Sequence, residues 1–260
     1  MNSYSFSDGP LKNPGWLGVA SLHLKETDST NSFLLRNRGL LLRKGLVVYA
    51  DRQTSGRGRK NRSWEQGSGR HLFFSAVIHP EIPASMIPSL TVFTGLAVFR
   101  ALHTIPVPDL SIKWPNDILA GSRKISGVLC ESLELRGQNI VVAGIGVNIE
   151  GDETQYPTEL AGKISTIERE TGRFIPPYAL MEMILAELDQ IMDMVHSGCS
   201  VQLIREWEEH SSSIGRKVKF TDSGRHDTGI IQGLDEKGRL MVETAHQKTR
   251  CIVSGEIIPN

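Results

Sequence analysis

A cationic, glycine-spaced loop follows an apolar strand pattern near the start of this 260-residue chain. Gly56 and Gly58 are placed so that the backbone can take positive φ angles and bring its N–H groups close to a ligand. Guanidinium groups match the paired oxygens of carboxylates and phosphates. The stretch from Asp51 to Trp64 therefore predicts a loop that binds an anion, and a solvated hairpin loop is the alternative. Four cationic side chains surround the glycines: Arg57, Arg59, Lys60 and Arg62.

The two common nucleotide-binding loop patterns are absent here. No Gly-Lys-Ser/Thr sequence closes the loop as in Walker A, and no helix pattern follows it as in a Rossmann fingerprint. The residues before the loop, Leu46 to Ala50, are β-branched, apolar and aromatic, which predicts a buried strand. After the loop, the run His71 to Ile78 predicts a return into the sheet. Trp64 lies between them, either as a core residue or as an anchor for a loop that folds over a ligand.

Five motifs occur in order between residues 28 and 148. They are Asp28-Ser29-Thr30-Asn31, Gln53-Thr54-Ser55-Gly56-Arg57-Gly58-Arg59 with Trp64, Lys113-Trp114-Pro115-Asn116-Asp117, Arg123-Lys124-Ile125-Ser126-Gly127 and Gly144-Ile145-Gly146-Val147-Asn148. In order and spacing they resemble those of biotin protein ligases. Each motif alone is common, whereas five in sequence are specific. The chain departs from the family pattern at Glu65-Gln66 and at His71, which leaves the hinge of the loop undefined.

The resemblance implies a biotin site. A neutral bicyclic urea needs donors and acceptors on a shaped wall, and the hydroxyls of Ser29 and Thr30 supply both. From the residues alone, a polar side chain between Glu26 and Asn31 caps a helix that starts near Phe33, and a cap and a ligand contact can coexist. The expected biotin contacts are Ser29, Thr30, Asn31, Gln53, Gly56, Arg57, Gly58, Arg59, Lys124 and Gly127.

The resemblance also implies a nucleotide site. Activation of a carboxylate by ATP brings two anions together, so the expected catalytic cations are Lys124 at the acyl phosphate and Lys113 beside it. A solvated position at a strand end is the alternative for both lysines. Asp117 is expected to orient the incoming amine or to help position Mg²⁺, whose ligands stay unknown. Arg59 is added to these catalytic residues, and the expected nucleotide contacts are Arg57, Arg59, Trp64, Lys113, Asn116 and Asn148.

The elements that position these residues predict an α+β fold. Helical spacing occurs in Ile87–Ile105, Pro177–Val195 and Val201–His210, and strand patterns occur in Leu110–Trp114, Ile125–Leu135 and Asn139–Ile149. Hairpin turns are predicted at Gly121-Ser122 and Arg136-Gly137, on either side of the middle strand. Short alternating runs between Gly215 and Ile258, split by turns at Ser223-Gly224 and Lys237-Gly238, predict a small antiparallel barrel. The resemblance implies a class II synthetase-like catalytic domain, a mixed sheet flanked by helices, followed by an SH3-like domain. The predicted bounds are residues 1–20 for a loosely ordered lead-in, 21–211 for the catalytic domain and 212–260 for the SH3-like domain.

Two features keep two interpretations each. Gly144 and Gly146 either ease strand packing or, as the resemblance implies, line a nucleotide pocket in which missing side chains make room for a flat ring. The cations at 216, 217 and 219 either touch ATP phosphates or lie on a solvated strand. The polar stretch Glu150 to Leu160 predicts a mobile cover, and no ligand is assigned to it.

Composition narrows the functional class. Lysine plus arginine equals aspartate plus glutamate, 29 of each, so a general affinity for nucleic acid or membranes is not indicated. Three widely spaced cysteines argue against a disulfide framework and a structural zinc site, and they fit a cytoplasmic location. We expect no membrane span, because no apolar run approaches the roughly 20 residues that one needs. The residues before the first motif are too few for the winged-helix domain of some biotin ligases, so no specific DNA binding is expected.

The predicted function is ATP-dependent activation of biotin to biotinyl-5′-AMP, followed by transfer to one lysine of the biotin carboxyl carrier domain of a biotin-dependent carboxylase. AMP is a good leaving group, so no enzyme nucleophile is needed. A lipoate or octanoate ligase of the same fold is the alternative, and it would need an apolar tunnel instead of the Ser-Thr pair. From a different class comes a non-catalytic SH3-like interaction protein. A homodimer is left open.

Overall fold

The computed structural model describes residues 5–7, 11, 15–152, 156–222, 225–245, 248–252 and 257–259. Its helices are α1 Thr30–Arg36, α2 Leu90–His103, α3 Ile167–Thr171, α4 Pro177–His196 and α5 Ser200–Glu209. Short 3₁₀ turns occur at Leu40–Leu42, Arg59–Asn61, Ala84–Ser89 and Thr158–Leu160. The strands are β1 Ser5–Ser7, β2 Ala20–Thr27, β3 Leu46–Gln53, β4 His71–Ile78, β5 Leu110–Lys113, β6 Asp117–Ala120, β7 Arg123–Leu135, β8 Gln138–Asn148, β9 Lys217–Asp222, β10 Arg225–Leu234, β11 Leu240–Thr244, β12 Thr249–Ile252 and β13 Ile257–Pro259.

The first eight strands form one mixed sheet in the order β1-β2-β3-β4-β8-β7-β6-β5. Only β2 and β3 run parallel, and the other neighbours are antiparallel. Strand β4 is buried at every residue, which explains its continuous apolar run at the centre of the sheet. The β7–β8 hairpin turns through Arg136 and Gly137, both with positive φ, as the predicted two-residue turn requires.

The two faces of this sheet are covered differently. Helices α2 and α4 pack on one face and form the larger core with alternate residues of the strands, such as Phe74 and Ile145. Helix α1 packs on the other face over a smaller core that includes Leu34 and Val142. Further along β8 the residues on this second face are Gly144, Gly146 and Asn148. The loss of apolar side chains there opens a hollow beside α1.

The C-terminal region forms a five-stranded antiparallel sheet in the order β12-β11-β10-β9-β13. Its buried residues, such as Phe220 and Val242, join the larger core of the main sheet. Helix α5 connects the two regions, because the Leu234 N–H donates to Glu208 Oε1 at 2.6 Å. Trp207 on the same helix is fully buried. The predicted antiparallel arrangement of this region is thus confirmed, and its sheet packs against the rest of the chain.

Several expectations need correction. The lead-in is not loose throughout: β1 pairs with β2, Leu17 is fully buried, and its N–H donates to Asp189 of α4 at 3.1 Å. Strand β6 was missed, because its four residues lie between two turn signals. The helix over Ala84–His103 is long and apolar enough to span a bilayer, contrary to expectation, but 67% of its apolar window is buried inside the protein. The turn expected at residues 223–224 lies outside the described residues.

Candidate functional site

A cavity of about 460 Å³ lies in the hollow beside α1 and receives residues from all five motifs. Of the predicted site residues, Gly56 alone does not line it. The polar α1 residues lie at one end and the lysines of the sheet at the other, so the cavity has a neutral end and a cationic end. The predicted residues that line it are Ser29, Thr30, Asn31, Gln53, Arg57, Gly58, Arg59, Trp64, Lys113, Asn116, Asp117, Lys124, Gly127 and Asn148.

The neutral end is a connected set of hydroxyls and amides. Both the N–H and the hydroxyl of Thr30 donate to Gln53 Oε1, at 2.8 and 3.3 Å. Ser75 Oγ lies 2.7 Å from Thr30 Oγ1 and 2.6 Å from Asn31 Oδ1, and its one proton goes to one of these oxygens. Ser29 occupies the N-cap position of α1, but its side chain makes no capping hydrogen bond. A polar residue does occupy the N-cap position, but the predicted side-chain cap is wrong, and Ser29 lines the cavity instead.

Ser75 is a site residue that the sequence analysis missed. It is fully buried in the middle of β4 and faces Gly144 of β8 across the strand pair. The signal that could have found it is its type, because a serine within a continuous apolar strand needs a hydrogen-bond partner when it is buried. Thr30 and Asn31 provide those partners.

Asn31 is fixed by the sheet beneath it. Its Nδ2 donates to Leu129 O at 3.1 Å and to Glu131 Oε2 at 2.9 Å. A Cβ on Gly144 would lie 2.3 Å from Asn31 Oδ1. Gly144 therefore makes room for the Asn31 side chain of α1, which neither of the two interpretations predicted.

Trp64 lies across the sheet over two other glycines. A Cβ on Gly146 would come within 2.9 Å of its ring, and a Cβ on Gly127 within 2.8 Å. These glycines are partners in the β7–β8 ladder, so together they form a flat floor. Lys124 Nζ lies 5.1 Å from the centre of the ring. Gly146 thus makes room for the ring of Trp64, whereas the expectation was room for the ring of a nucleotide.

The cationic loop is a short hairpin whose geometry differs from expectation. Neither Gly56 nor Gly58 has positive φ, and Lys60 takes the left-handed conformation at φ 55°. The Trp64 N–H donates to Gly56 O at 2.9 Å, and the Gly58 N–H donates to Arg62 O at 2.7 Å. A Cβ on Gly56 would lie 2.9 Å from Trp64 O. Gly56 is therefore needed for close approach of the two arms of the loop.

The cationic end holds more positive than negative charge. Lys124 Nζ lies 2.6 Å from Asp117 Oδ1. The guanidinium of Arg59 lies 5.9 Å from the centre of the Trp114 ring, and burial lowers its pKa, while the nearby Asp117 charge raises it. Lys113 completes the cluster. Three cations thus share one carboxylate, which favours an anionic ligand at this end.

The two asparagines among the predicted nucleotide contacts differ in which side-chain amide atoms are already hydrogen bonded. Asn116 Nδ2 donates to Val128 O at 2.8 Å, so one amide proton is used within the protein. Asn148 Oδ1 is buried and has no hydrogen-bond partner among the described residues. A buried carbonyl oxygen without a partner is costly, and an amine donor from a ligand would satisfy it.

Further lining residues lie at the end of the polar stretch 150–160, to which no ligand was assigned, and just beyond it. Leu160, Lys163 and Ile164 line the cavity. The segment is attached to the sheet, because the Lys124 N–H donates to Lys163 O at 2.8 Å. No periodic pattern marks this polar stretch, so its place in the cavity could not be predicted from the sequence. Residues 153–155 of the predicted cover lie outside the described residues. The cations of the C-terminal region at 216, 217 and 219 are exposed and do not line the cavity, as the solvated alternative predicts.

Two family models match the chain. The one described as "Biotin/lipoate A/B protein ligase family" matches residues 24–149, which carry every predicted site residue. The chain belongs to this family of protein ligases. The second model, "Biotin protein ligase C terminal domain", matches residues 213–258, which places the chain among the biotin protein ligases.

Similar proteins of known name agree with this assignment. The bifunctional ligase/repressor BirA of Bacillus spizizenii is 30% identical over 205 residues, which cover 77% of this chain and 62% of the relative. The chain thus spans less than two thirds of that relative. The biotin–[acetyl-CoA-carboxylase] ligase of Mycobacterium tuberculosis is 29% identical over 90% of this chain and 86% of its own length. The structure of the Aquifex aeolicus biotin protein ligase in complex with biotin and ATP superposes with a TM-score of 0.78 and 28% identity, covering 96% of this chain and all of the other.

Proposed function

We propose that this protein converts biotin and ATP into biotinyl-5′-AMP and pyrophosphate, and then transfers biotin to a lysine of a biotin carboxyl carrier domain. The observation that carries the proposal is the joining of a neutral hydrogen-bonding end and a cationic end in one cavity. Biotin itself has this division, since it carries a neutral ureido ring and an anionic carboxylate. The Aquifex aeolicus relative that binds biotin and ATP supports the same assignment.

The neutral end suits the ureido ring. The hydroxyl of Ser29 can donate to its carbonyl oxygen, and Thr30, Asn31 and Gln53 are held in fixed orientations beside it. Because Ser75 and Gln53 already orient Thr30, little order has to be imposed when the ligand binds. An apolar lipoyl or octanoyl chain would leave these polar groups without partners, which disfavours the alternative substrates.

The cationic end suits the activation step. The biotin carboxylate attacks the α-phosphorus, one P–O bond forms, and the bond to pyrophosphate breaks. Negative charge grows on the phosphoryl oxygens in the transition state, and Lys124, Lys113 and Arg59 are positioned around the place where it develops. Asn148 offers its free amide oxygen to the exocyclic amine of adenine. Trp64 covers the adenylate from the loop side and helps keep water from the mixed anhydride.

Mg²⁺ fits this site as a partner of the nucleotide. No group of three or more His, Cys, Asp or Glu residues in the described part of the chain is placed to hold a metal by itself. Magnesium is commonly held by one or two carboxylates together with substrate phosphates. Asp117 lines the cationic end and supplies such a carboxylate. The ion would neutralise part of the triphosphate charge.

The transfer step needs a neutral lysine amine at the acyl carbon. Asp117 lies beside Lys124 at the place where that amine must enter, so its carboxylate can orient the amine and take up its proton. AMP leaves as the new amide bond forms. The acceptor is proposed to be the carrier domain of a biotin-dependent carboxylase, and the compartment to be the reducing cytoplasm, which the free cysteines fit.

Biotin-dependent exchange of labelled pyrophosphate into ATP tests the proposal. We expect exchange with biotin, and at least about tenfold less with lipoate or octanoate at equal concentration, because those acids do not satisfy the neutral end. Absence of exchange with all three acids would contradict adenylate formation. Exchange that prefers lipoate would identify the related ligase activity instead.

A further inference from the structure

Glu131 of β7 joins three elements around the mouth of the cavity. Arg57 of the cationic loop binds it with both terminal nitrogens, Nη1 to Oε2 at 3.1 Å and Nη2 to Oε1 at 2.8 Å. Asn31 of α1 donates to the same Oε2 at 2.9 Å. Glu131 lies outside the five sequence motifs. The residues that follow it in β7 simply alternate between exposed and half-buried.

This ion pair differs from an ordinary surface pair. A bidentate guanidinium–carboxylate contact fixes the relative orientation of the two groups as well as the distance between them. The side chains are 38% and 24% exposed, so both charges are partly removed from water. The carboxylate is also fixed by Asn31, whose amide is bound to Leu129 O. Asn31 therefore holds the Glu131 carboxylate in position independently of Arg57.

Arg57 is placed where it can control the whole loop. Its backbone pairs with Ser63 in an isolated antiparallel bridge, so it lies at the base of the hairpin that carries Arg59 and Lys60. Fixing the base of the hairpin to the sheet limits the positions that Arg59 and Trp64 can take. The guanidinium of Arg57 is occupied by Glu131, so Arg57 is less suited than Arg59 to contact the anionic ligand.

We propose that Glu131 is a positioning residue that latches the cationic loop over the cavity through Arg57, and that it does so before any ligand binds. The expectation that Arg57 contacts biotin or nucleotide is replaced, in this proposal, by a role in holding the loop. Where the proposed function holds, the latch slows the escape of the adenylate by keeping the loop over it.

Limited trypsin digestion without ligand tests the latch directly. The bonds after Lys60 and Arg62 become cleavable only when the hairpin opens, so their cleavage rate reports the open population. Loss of a charge-assisted pair of this kind corresponds to about a tenfold rise in that population, and we expect Glu131→Gln to show it. Glu134→Gln is the matched control, because Glu134 is exposed on the same strand and lies opposite Asn139 of β8 near the far end of the hairpin.

A double-mutant cycle with Arg57→Gln separates the latch from general destabilisation. If Glu131 acts through Arg57, the double variant is cleaved after Lys60 and Arg62 no faster than either single variant. Additive effects, or equal cleavage of Glu131→Gln and the unaltered protein, would overturn the proposal. Melting temperatures of all variants control for unfolding.

Release of biotinyl-AMP provides the second measurement. We expect Glu131→Gln to lose preformed adenylate about tenfold faster than Glu134→Gln, since the loop opens more often. This arm rests on the proposed function, whereas the digestion arm does not. If the unaltered protein forms no adenylate, the proposed function fails while the ligand-free digestion still decides the latch.

Discussion

The two ends of the cavity differ in how fully the protein satisfies its own polar groups. At the neutral end, Thr30, Asn31, Gln53 and Ser75 bond to one another before a ligand arrives. At the cationic end, three cations share the carboxylate of Asp117, and the buried oxygen of Asn148 has no partner among the described residues.

The difference shows how recognition and chemistry are divided. A wall that is already hydrogen bonded selects a ligand by shape and by a few remaining donors, with little change on binding. A cluster of like charges is instead unfavourable until an anion enters it, so its binding energy becomes largest where negative charge develops. Substitutions at the cationic end should therefore reduce the rate of activation, and those at the neutral end should weaken biotin binding.

The largest effect is expected from Lys124→Ala. Removal of a preorganised cation from the reacting centre should slow adenylate formation by at least about a hundredfold while the fold persists. Single-turnover formation of biotinyl-AMP measures the effect. Lys219→Ala is the control, because it removes the same charge from an exposed strand far from the cavity lining. A similar rate in the two variants would place the chemistry elsewhere.

Gly146→Ala should produce the next largest loss. The added methyl group would lie 2.9 Å from the Trp64 ring, which cannot move without displacing the loop. We expect adenylate formation to fall about thirtyfold, since small displacements of positioning groups have large effects on rate. Gly39→Ala is the control, because nothing lies within 4 Å of the new atom. If Gly146→Ala retains full activity, Trp64 does not form the cover proposed for the adenylate.

Much of this site could be predicted from the sequence, because the residues with the required chemistry are also neighbours within recognisable motifs. Lys124 opens a strand and Gly127 lies three residues further on, so both were predicted to be near the ligand, and both line the cavity. Ser75 and Glu131 were missed because each is a single polar residue within a strand pattern. Their importance comes from contacts with α1 and the loop, 44 and 74 residues away in the chain.

The fold shows the same limit. Long periodic segments such as α2 and α4 were predicted with small errors at their ends, because many residues repeat one signal. Strand β6 has four residues and no such repeat, and β1 acquires its structure only by pairing with β2. The pairing of β1 and the burial of Leu17 were therefore invisible in the local pattern.

Ser75→Ala should test the neutral end. The substitution removes the hydroxyl that orients Thr30 and Asn31, so we expect the KM for biotin to rise about tenfold while kcat changes by less than about twofold. Steady-state kinetics at saturating ATP provides both values. Ser89→Ala is a matched control, since it is also a buried serine that bonds only a nearby carbonyl, Met86 O at 2.6 Å. A fall in kcat at unchanged KM would contradict the division between the two ends.

The smallest expected effect concerns Asp28, a charged residue directly before the neutral end. Asp28 accepts from both terminal nitrogens of Arg36, at 2.5 and 2.7 Å, and from the Ser29 N–H at 2.8 Å. Hydrogen bonding to Arg36 chiefly lowers the pKa of Asp28, to about 2, and the Ser29 N–H adds to the shift, whereas partial burial opposes it.

Because the pKa of Asp28 is lower in the folded state than the ordinary value of 3.8, the pair stabilises the protein fully above that value. This stability is lost as the pH falls from about 4 to about 2, since the unfolded chain then binds the proton more tightly. The ion pair is substantially exposed, so the contribution should stay below about 1 kcal/mol. Asp28→Asn should therefore be slightly less stable than the unaltered protein at pH 7, and the difference should shrink on acidification. Urea unfolding at several pH values measures it, and a difference that grows towards low pH would contradict the assignment of this carboxylate as a stabilising charge.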